Sequence, residues 1–401
     1  MQRPEPQQRD LVITGAGAVS PQGAGSRDQA AAGDPGAVLL TGATGFVGME
    51  LLVRVLEQTD RDVIALVRAA DDDAAQARID EVLKLVVEPG VRRATLRRRV
   101  QGVAADLERP GLGLDDATRD GLTARIGAVV HCAASISFTL ELEDARRINV
   151  EGTREILALA AEARDYGCLD RFVHVSTAYV AGDRDGRARE RQGDVGQGFR
   201  NTYERTKLEA EQLVHESGLP AAILRPSVIV GDSVTGWTPA FNVIYWPLQA
   251  YARGLFEQIP GEADAPIDIV PVDTVADALL ELVRGPVRGG TFHVVASDEA
   301  VSNGVLATMA AEFFDAKPLR FVGPGVDPVA EKRAGALTSY FKVRCIFDAL
   351  RGRRALGAQP PPLEQYFDVL MSYARDARWG KSPMPRWAAG ARDEALERRV
   401  A

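Results

Sequence analysis

Tyr203 and Lys207 stand four residues apart in NTYERTKLEA, a segment of helix formers without Gly or Pro. Residues at i and i+4 share one helix face, so a phenol and an ammonium at this spacing can reach the same ligand. A nearby ammonium favours the phenolate and would bring Tyr203 toward the range of a working proton donor or acceptor. Upstream, FVHVSTAYV reads as a strand ending in Ser176 and Thr177, two hydroxyls placed to hold a carbonyl oxygen at a sheet edge. In most helices a Tyr and a Lys four apart are surface residues. A hydroxyl, a Tyr and a Lys in this order behind a nucleotide loop make chemistry the stronger reading.

The nucleotide loop is VLLTGATGFVG, with Gly42, Gly45 and Gly48 in a G-x-x-G-x-x-G spacing after an apolar run. The first glycine permits a tight turn, the second lets backbone approach a pyrophosphate, and the third allows close helix packing. A long amphipathic segment without proline follows, so a helix N-terminus can face the phosphates. The whole turn, Gly42, Thr44, Gly45, Phe46, Val47 and Gly48, is assigned to the cofactor. The next apolar run, DVIALVR, ends at Arg68. An acidic residue at this strand end would bind the ribose diol of NAD, whereas an arginine favours the 2′-phosphate of NADP.

These side chains need a scaffold. Apolar runs at 37–41, 62–67, 99–104, 128–132, 171–176, 221–225 and 291–295 alternate with segments whose apolar residues recur every three or four positions. That alternation predicts βαβ units and an α/β fold with a doubly wound parallel Rossmann sheet. Ligands then lie at the carboxyl ends of the strands. We expect 34–235 with 267–297 to form an NADP-binding domain. The expected lid is 236–266 with 298–401, a smaller and mainly helical substrate-binding region, and 1–33 is an N-terminal extension. The aromatic stretch Trp237 to Phe256 reads as core packing of a lid helix, with an acyl tunnel or a peripheral membrane contact as alternatives.

Composition excludes several classes. The 401 residues, 46% hydrophobic and 26% charged, can bury a substantial core. A net charge of −8 argues against a nucleic-acid binder. Cys132, Cys168 and Cys345 are too scattered for a disulfide framework, and no Cys or His cluster has metal-ligand spacing. His131, His174 and His293 fall in strands and read as core residues, His215 as a surface one. The start, MQRPEPQQRD, lacks the apolar core of a signal peptide, and no apolar stretch is long enough for a transmembrane segment. The expected setting is cytoplasmic. The basic run RRATLRRRV (92–100) reads as a solvated approach to the third strand, with contact to a CoA phosphate or an acidic carrier as the alternative.

Over roughly 37–300 the chain resembles the extended short-chain dehydrogenase/reductases. Within them it is most similar to the fatty acyl-CoA reductases and the thioester reductase domains of carboxylic acid reductases and peptide synthetases. The stretches that carry the resemblance are LVRAADDDAAQARI, VVHCAASISFT, RINVEGTREIL, FVHVSTAYV, YERTKLEAEQLV, AAILRPSVIVGDSVTGW and DIVPVDTVADALLEL. It implies a catalytic set of Thr177, Tyr203 and Lys207, with Thr177 and Tyr203 on the carbonyl oxygen and Lys207 on the nicotinamide ribose. It places Arg68 and Arg78 at the 2′-phosphate, Asp106 and Leu107 at the adenine, and Ala133, Ala134 and Ser135 beside the cofactor. Pro226, Ser227 and Val228 would face the nicotinamide end, and Asn149 would support a helix. The implied reaction is hydride transfer from NADPH to the thioester of an acyl-CoA or acyl-carrier protein, giving an aldehyde or, after a second round, an alcohol.

Three rivals share the loop. A ketone or aldehyde reductase, including the hydroxysteroid dehydrogenase type, keeps every motif. A sugar-nucleotide epimerase usually retains NAD, which Arg68 opposes. A non-catalytic dinucleotide sensor would typically lose the Tyr–Lys pair. A second glycine stretch, LVITGAGAVSPQGAG, resembles the opening strand and turn of β-ketoacyl synthases over about fifteen residues. It is followed by Pro21, Gly23 and Gly25 where a helix should run, so it is read as a leader that binds no dinucleotide.

Overall fold

The apolar runs become seven parallel strands: β1 (Ala37–Thr41), β2 (Val63–Val67), β3 (Val100–Ala104), β4 (Ile126–His131), β5 (Arg171–Val175), β6 (Ala221–Pro226) and β7 (Gly290–Val294). The computed structural model describes residues 36–241, 243–255, 257–323, 325–326 and 335–389. The leader read at Leu11 to Ser20 lies outside the described residues.

The strand order is β7-β6-β5-β4-β1-β2-β3, with Val38 opposite Val63 on β2 and Ala128 on β4. Every residue of β1, β2, β4 and β5 is buried, as expected when both faces of a parallel sheet are covered. Side chains alternate between two helical layers. Val38 and Leu40 join a core with Leu52 and Val55 of α1 (Phe46–Gln58) and Leu279 and Leu282 of a helix at Val272–Arg284. Leu39 packs on the opposite face with Ile156, Leu159 and Ala160 of a helix at Gly152–Asp165. The chain runs outward from β1 in one direction and from β4 in the other, so the switch point lies between these two strands.

Two more helices matter to the site. In α2 (Asp72–Val86), Asp71 caps the first turn by accepting the Ala74 amide, with Asp72 and Asp73 adding favourable charge. In α3 (Thr202–Glu216), Asn201 does the same for the Glu204 amide and sets where the Tyr–Lys helix begins.

A second apolar cluster is built from Tyr245 and Tyr251, Ile259, Ile267 and Ile269, and later from Phe341, Phe347 and Phe367. Its helices at 245–252, 303–314 and 367–376 alternate with two- and three-residue strands that pair 258–260 with 320–322, 266–267 with 301–302, and 186–188 with 345–347. Strands this short leave no readable period, which is why the sequence suggests a mainly helical region. The aromatic stretch packs inward: Trp237 is fully buried, Phe241 meets Tyr245 and Tyr373, and Tyr251 meets Phe314. Trp246 is partly exposed, and Phe256 lies outside the described residues.

The basic run is a solvated approach to β3, as read, and takes the form of a short helix at Val91–Arg97 whose arginines serve the fold. Arg92 pairs with Glu57, Arg97 with Asp80, and Arg99 donates to the carbonyls of Leu56, Thr59 and Arg61. Residues 384–387 strap the last segment to the nucleotide fold: Trp237 Nε1 donates to the Met384 carbonyl, Arg386 pairs with Glu50 of α1, and Trp387 Nε1 donates to Lys84 of α2. No helix among the described residues is long and apolar enough to cross a membrane.

Candidate active site

β1 ends in Thr41, and the chain turns at Gly42 with φ 74°, a left-handed value that glycine adopts at little cost. A Cβ on Gly42 would lie 2.8 Å from the Ala133 amide, where the turn meets the end of β4. A Cβ on Gly48 would lie 2.0 Å from the Gly42 carbonyl oxygen, so α1 can approach its own turn only through glycine. Gly45 caps α1 without a side-chain hydrogen bond, and the first turn carries no acidic residue. The α1 N-terminus therefore offers free amides and no repelling charge, as a pyrophosphate requires. Thr44, Phe46 and Val47 are half-buried beside it, with Phe46 edge-on to Trp237 at 6.1 Å. The cradle fits a dinucleotide.

Thr41 knits the two edges of the switch point. Its hydroxyl accepts the amides of Cys132 and Ala133 at 3.1 Å and bonds His131 Nδ1 at 2.8 Å. His131 Nε2 reaches Thr153, and burial lowers this imidazole to about 3, so it is a neutral structural link. His293 is also buried and neutral, bonded to the Asp348 carbonyl, and His215 is exposed. Past β4, Ala133, Ala134 and Ser135 are half-buried, and Asn149 holds Ser135 through both its amide and its carbonyl. Asn149 also donates to Thr206 on α3, which is the supporting role its sequence context suggests.

Arg68 follows β2 directly, with its side chain 76% exposed. Arg78 donates to the Arg68 carbonyl at 2.6 Å, so its guanidinium lies against the backbone just past β2. Glu108 stands 3.7 Å from Arg68 and also pairs with Arg147. Asp106 and Leu107 lie just past β3, where the Asp106 carboxylate accepts the Glu108 amide.

At the other end, α3 carries Tyr203 and Lys207 to the edge where β5 stops. Thr177 is buried, and its hydroxyl lies within hydrogen-bonding reach of the Tyr203 phenol. Burial raises the Tyr203 pKa, and the Thr177 hydrogen bond offsets only part of that rise. The Lys207 ammonium donates to the Val175 carbonyl at 2.7 Å and lies 3.2 Å from His174 Nε2. The expected Lys207-driven fall in the Tyr203 pKa is therefore absent, because desolvation dominates the phenol and Lys207 is engaged with β5. Ser176 Oγ is buried without a partner among the described residues. Burial pushes the Cys132 thiol up to about 11, so it stays protonated beside Lys207.

Pro226 ends β6, and Val228 opens a short strand that pairs with Ile269–Pro271. Ser227 turns inward instead and donates to Asp268 at 2.6 Å, a carboxylate that also accepts the Ala296 and Ser297 amides. Its hydroxyl therefore serves the fold.

Motif reading overlooked the aromatic wall around Tyr203. Phe138 lies 6.1 Å from Tyr203 and stacks on Tyr340 at 5.3 Å, while Arg200 sits over Tyr179 and Tyr340 and pairs with the buried Glu204. Tyr340 comes from the far C-terminal region, and no local pattern announces it. A cavity of about 720 Å³ lies on the opposite face of α3, between Leu142, Phe199, Arg205 and Gln212. The 3.6-residue period turns these α3 residues away from Tyr203 and Lys207, so this cavity is separate from the chemistry.

The sequence profile of the male sterility protein family matches residues 40–279. The isonitrile lipopeptide synthase of Streptomyces coeruleorubidus is 37% identical over 262 residues, which cover 64% of this chain and 17% of the synthase. Human fatty acyl-CoA reductase 1 is 30% identical over 277 residues, 61% of this chain and 53% of the reductase. The chain thus spans about half the length of that reductase and a small part of the synthase. The crystal structure of the terminal R domain from the myxalamid PKS-NRPS pathway superposes with a TM-score of 0.74 at 27% identity, covering 88% of this chain and 94% of that one. With its glycine turn, strand order and Tyr–Lys helix, the chain belongs to the male sterility family of NAD-binding domains within the extended short-chain dehydrogenase/reductases.

Proposed function

We propose that this chain is an NADPH-dependent reductase of acyl thioesters, carried on CoA or an acyl-carrier protein. The observation that carries the proposal is the half-buried Tyr203 phenol, held beside Thr177 on the helix that delivers Lys207 to the carboxyl edge of the sheet. The names of the relatives support the substrate class.

A reduced nicotinamide bound at this edge would supply hydride to the thioester carbonyl carbon. Thr177 and Tyr203 donate hydrogen bonds to the carbonyl oxygen as negative charge develops on it. The raised pKa keeps Tyr203 a neutral phenol at working pH, and hence a proton donor. Lys207 steadies the ribose, and Arg68 with Arg78 neutralises the 2′-phosphate. The balance is thioester plus NADPH plus a proton, giving aldehyde, free thiol and NADP⁺. A second NADPH and proton convert the aldehyde to an alcohol. Among the described residues, Phe138 beside the phenol and Tyr340 stacked on Phe138 would bound the acyl side.

Two substitutions test the assignment. Tyr203→Phe is expected to keep NADPH binding within about threefold and lower turnover by about 10²–10⁴-fold. Undiminished turnover would mean a chain that binds the dinucleotide without using Tyr203. Arg68→Ala should weaken NADPH at least tenfold and leave NADH unchanged, measured by titrating nucleotide fluorescence. Equal losses for both nucleotides would remove the 2′-phosphate role.

A further inference from the structure

We propose that His174 is a positioning residue for Lys207: its buried Nε2 accepts an N–H of the Lys207 ammonium and fixes the direction of the donors that remain. The inference rests on the catalytic reading of Lys207.

The geometry is specific. Lys207 is 2% exposed, and its ammonium has three donors. Two are spent on consecutive residues of β5, the Val175 carbonyl at 2.7 Å and His174 Nε2 at 3.2 Å. A long flexible side chain held at two points cannot rotate freely about its last bond, so the third N–H has a set direction. Val175 alone would anchor the amine without orienting it.

The imidazole can act only as an acceptor here. His174 is fully buried, and burial together with the Lys207 charge keeps it neutral. An ammonium at Nε2 requires the ring proton to sit on Nδ1. That Nδ1 has no hydrogen-bond partner among the described residues. A buried N–H without a partner costs stability, which an apolar residue at this position would recover. The adjacent His131, 5.4 Å away, differs in having both nitrogens satisfied by Thr41 and Thr153. His174 thus bears a cost that its contact with Lys207 offsets.

The other groups around the amine do not substitute for it. Cys132 at the end of β4 stays protonated, and Tyr203 on the same helix stays neutral. Glu211, one turn along α3, is committed to the buried Arg225. His131 is neutral and has both nitrogens engaged by Thr41 and Thr153.

The chain has four histidines and six lysines, so both groups can be followed one by one in isotope-labelled wild-type protein. Nitrogen NMR should show His174 neutral, with its proton on Nδ1. A proton on Nε2 would overturn the proposal without any variant being made. In His174→Phe, which fills the ring volume and removes the acceptor, the Lys207 titration should move down by about one unit. Turnover should fall at least tenfold while NADPH affinity changes less than about threefold, and His174→Gln should recover part of both losses. A Lys207 titration and turnover within twofold of wild type in His174→Phe would overturn it. The NMR results need no substrate, so they stand or fall separately from thioester reduction.

Discussion

Lys207 sets the pH behaviour of the site, because burial lowers it from 10.5 to about 8, with Glu211 offsetting part of that fall. Any step that needs the ammonium should weaken as pH rises through about 8. The stability consequence has the opposite sense. Between about 8 and 10.5 the unfolded chain holds this proton more tightly than the folded one, so the residue's contribution to stability rises with pH across that window. Lys207→Met removes both proton equilibria. Its melting temperature relative to wild type is therefore expected to be most favourable at pH 7 and to lose that advantage by pH 10.5. A constant difference between the two melts would mean that the folded chain leaves the amine near its ordinary value. The Tyr–Lys spacing was legible in the sequence because it is local. The His174–Lys207 contact was not, since it joins a strand to a helix 33 residues later and exists only once both are packed.

At the scale of elements, the glycine turn and α1 must act as one unit to hold a pyrophosphate. A Cβ on Gly48 would lie 2.0 Å from the Gly42 oxygen, against 3.2 Å for one on Gly45. Gly48→Ala should therefore push the helix off its turn and weaken NADPH at least tenfold. Gly45→Ala, which asks only a few tenths of an ångström, should cost far less. Fluorescence titration of the two variants checks the order, and equal affinities would show that close approach of α1 is unimportant. The strands were readable because each is an apolar run buried on both faces, and the observed limits lie within two residues of the runs at 37–41 and 128–132. The basic run at 92–100 was legible as a solvated approach to β3, but its arginines' partners, Glu57, Asp80 and carbonyls of neighbouring elements, are invisible in a local pattern.

Across the whole molecule, the Tyr–Lys helix stands between two cores. Its Val214 packs in the core on one face of the sheet with Leu39 and Ile156, and the other core, around Tyr245, Phe341 and Phe367, reaches Tyr203 through Tyr340 and Phe138. The strap at 384–387 returns to α1 and α2, so the C-terminal region is anchored to the same helix whose N-terminus faces the phosphates. In the proposed reading, an acyl group and a dinucleotide would lie on either side of one phenol. The proposed substrate class was legible only through resemblance, because the aromatic wall joins residues far apart in the chain, Phe138 and Tyr340. The most direct test is NADPH oxidation by the wild-type chain offered a long-chain acyl-CoA, an acyl-carrier protein, a ketosteroid and a fatty aldehyde in parallel. The account predicts oxidation with at least one thioester, accompanied by release of one free thiol per thioester consumed. Oxidation with the aldehyde or the ketosteroid and none with either thioester would contradict it.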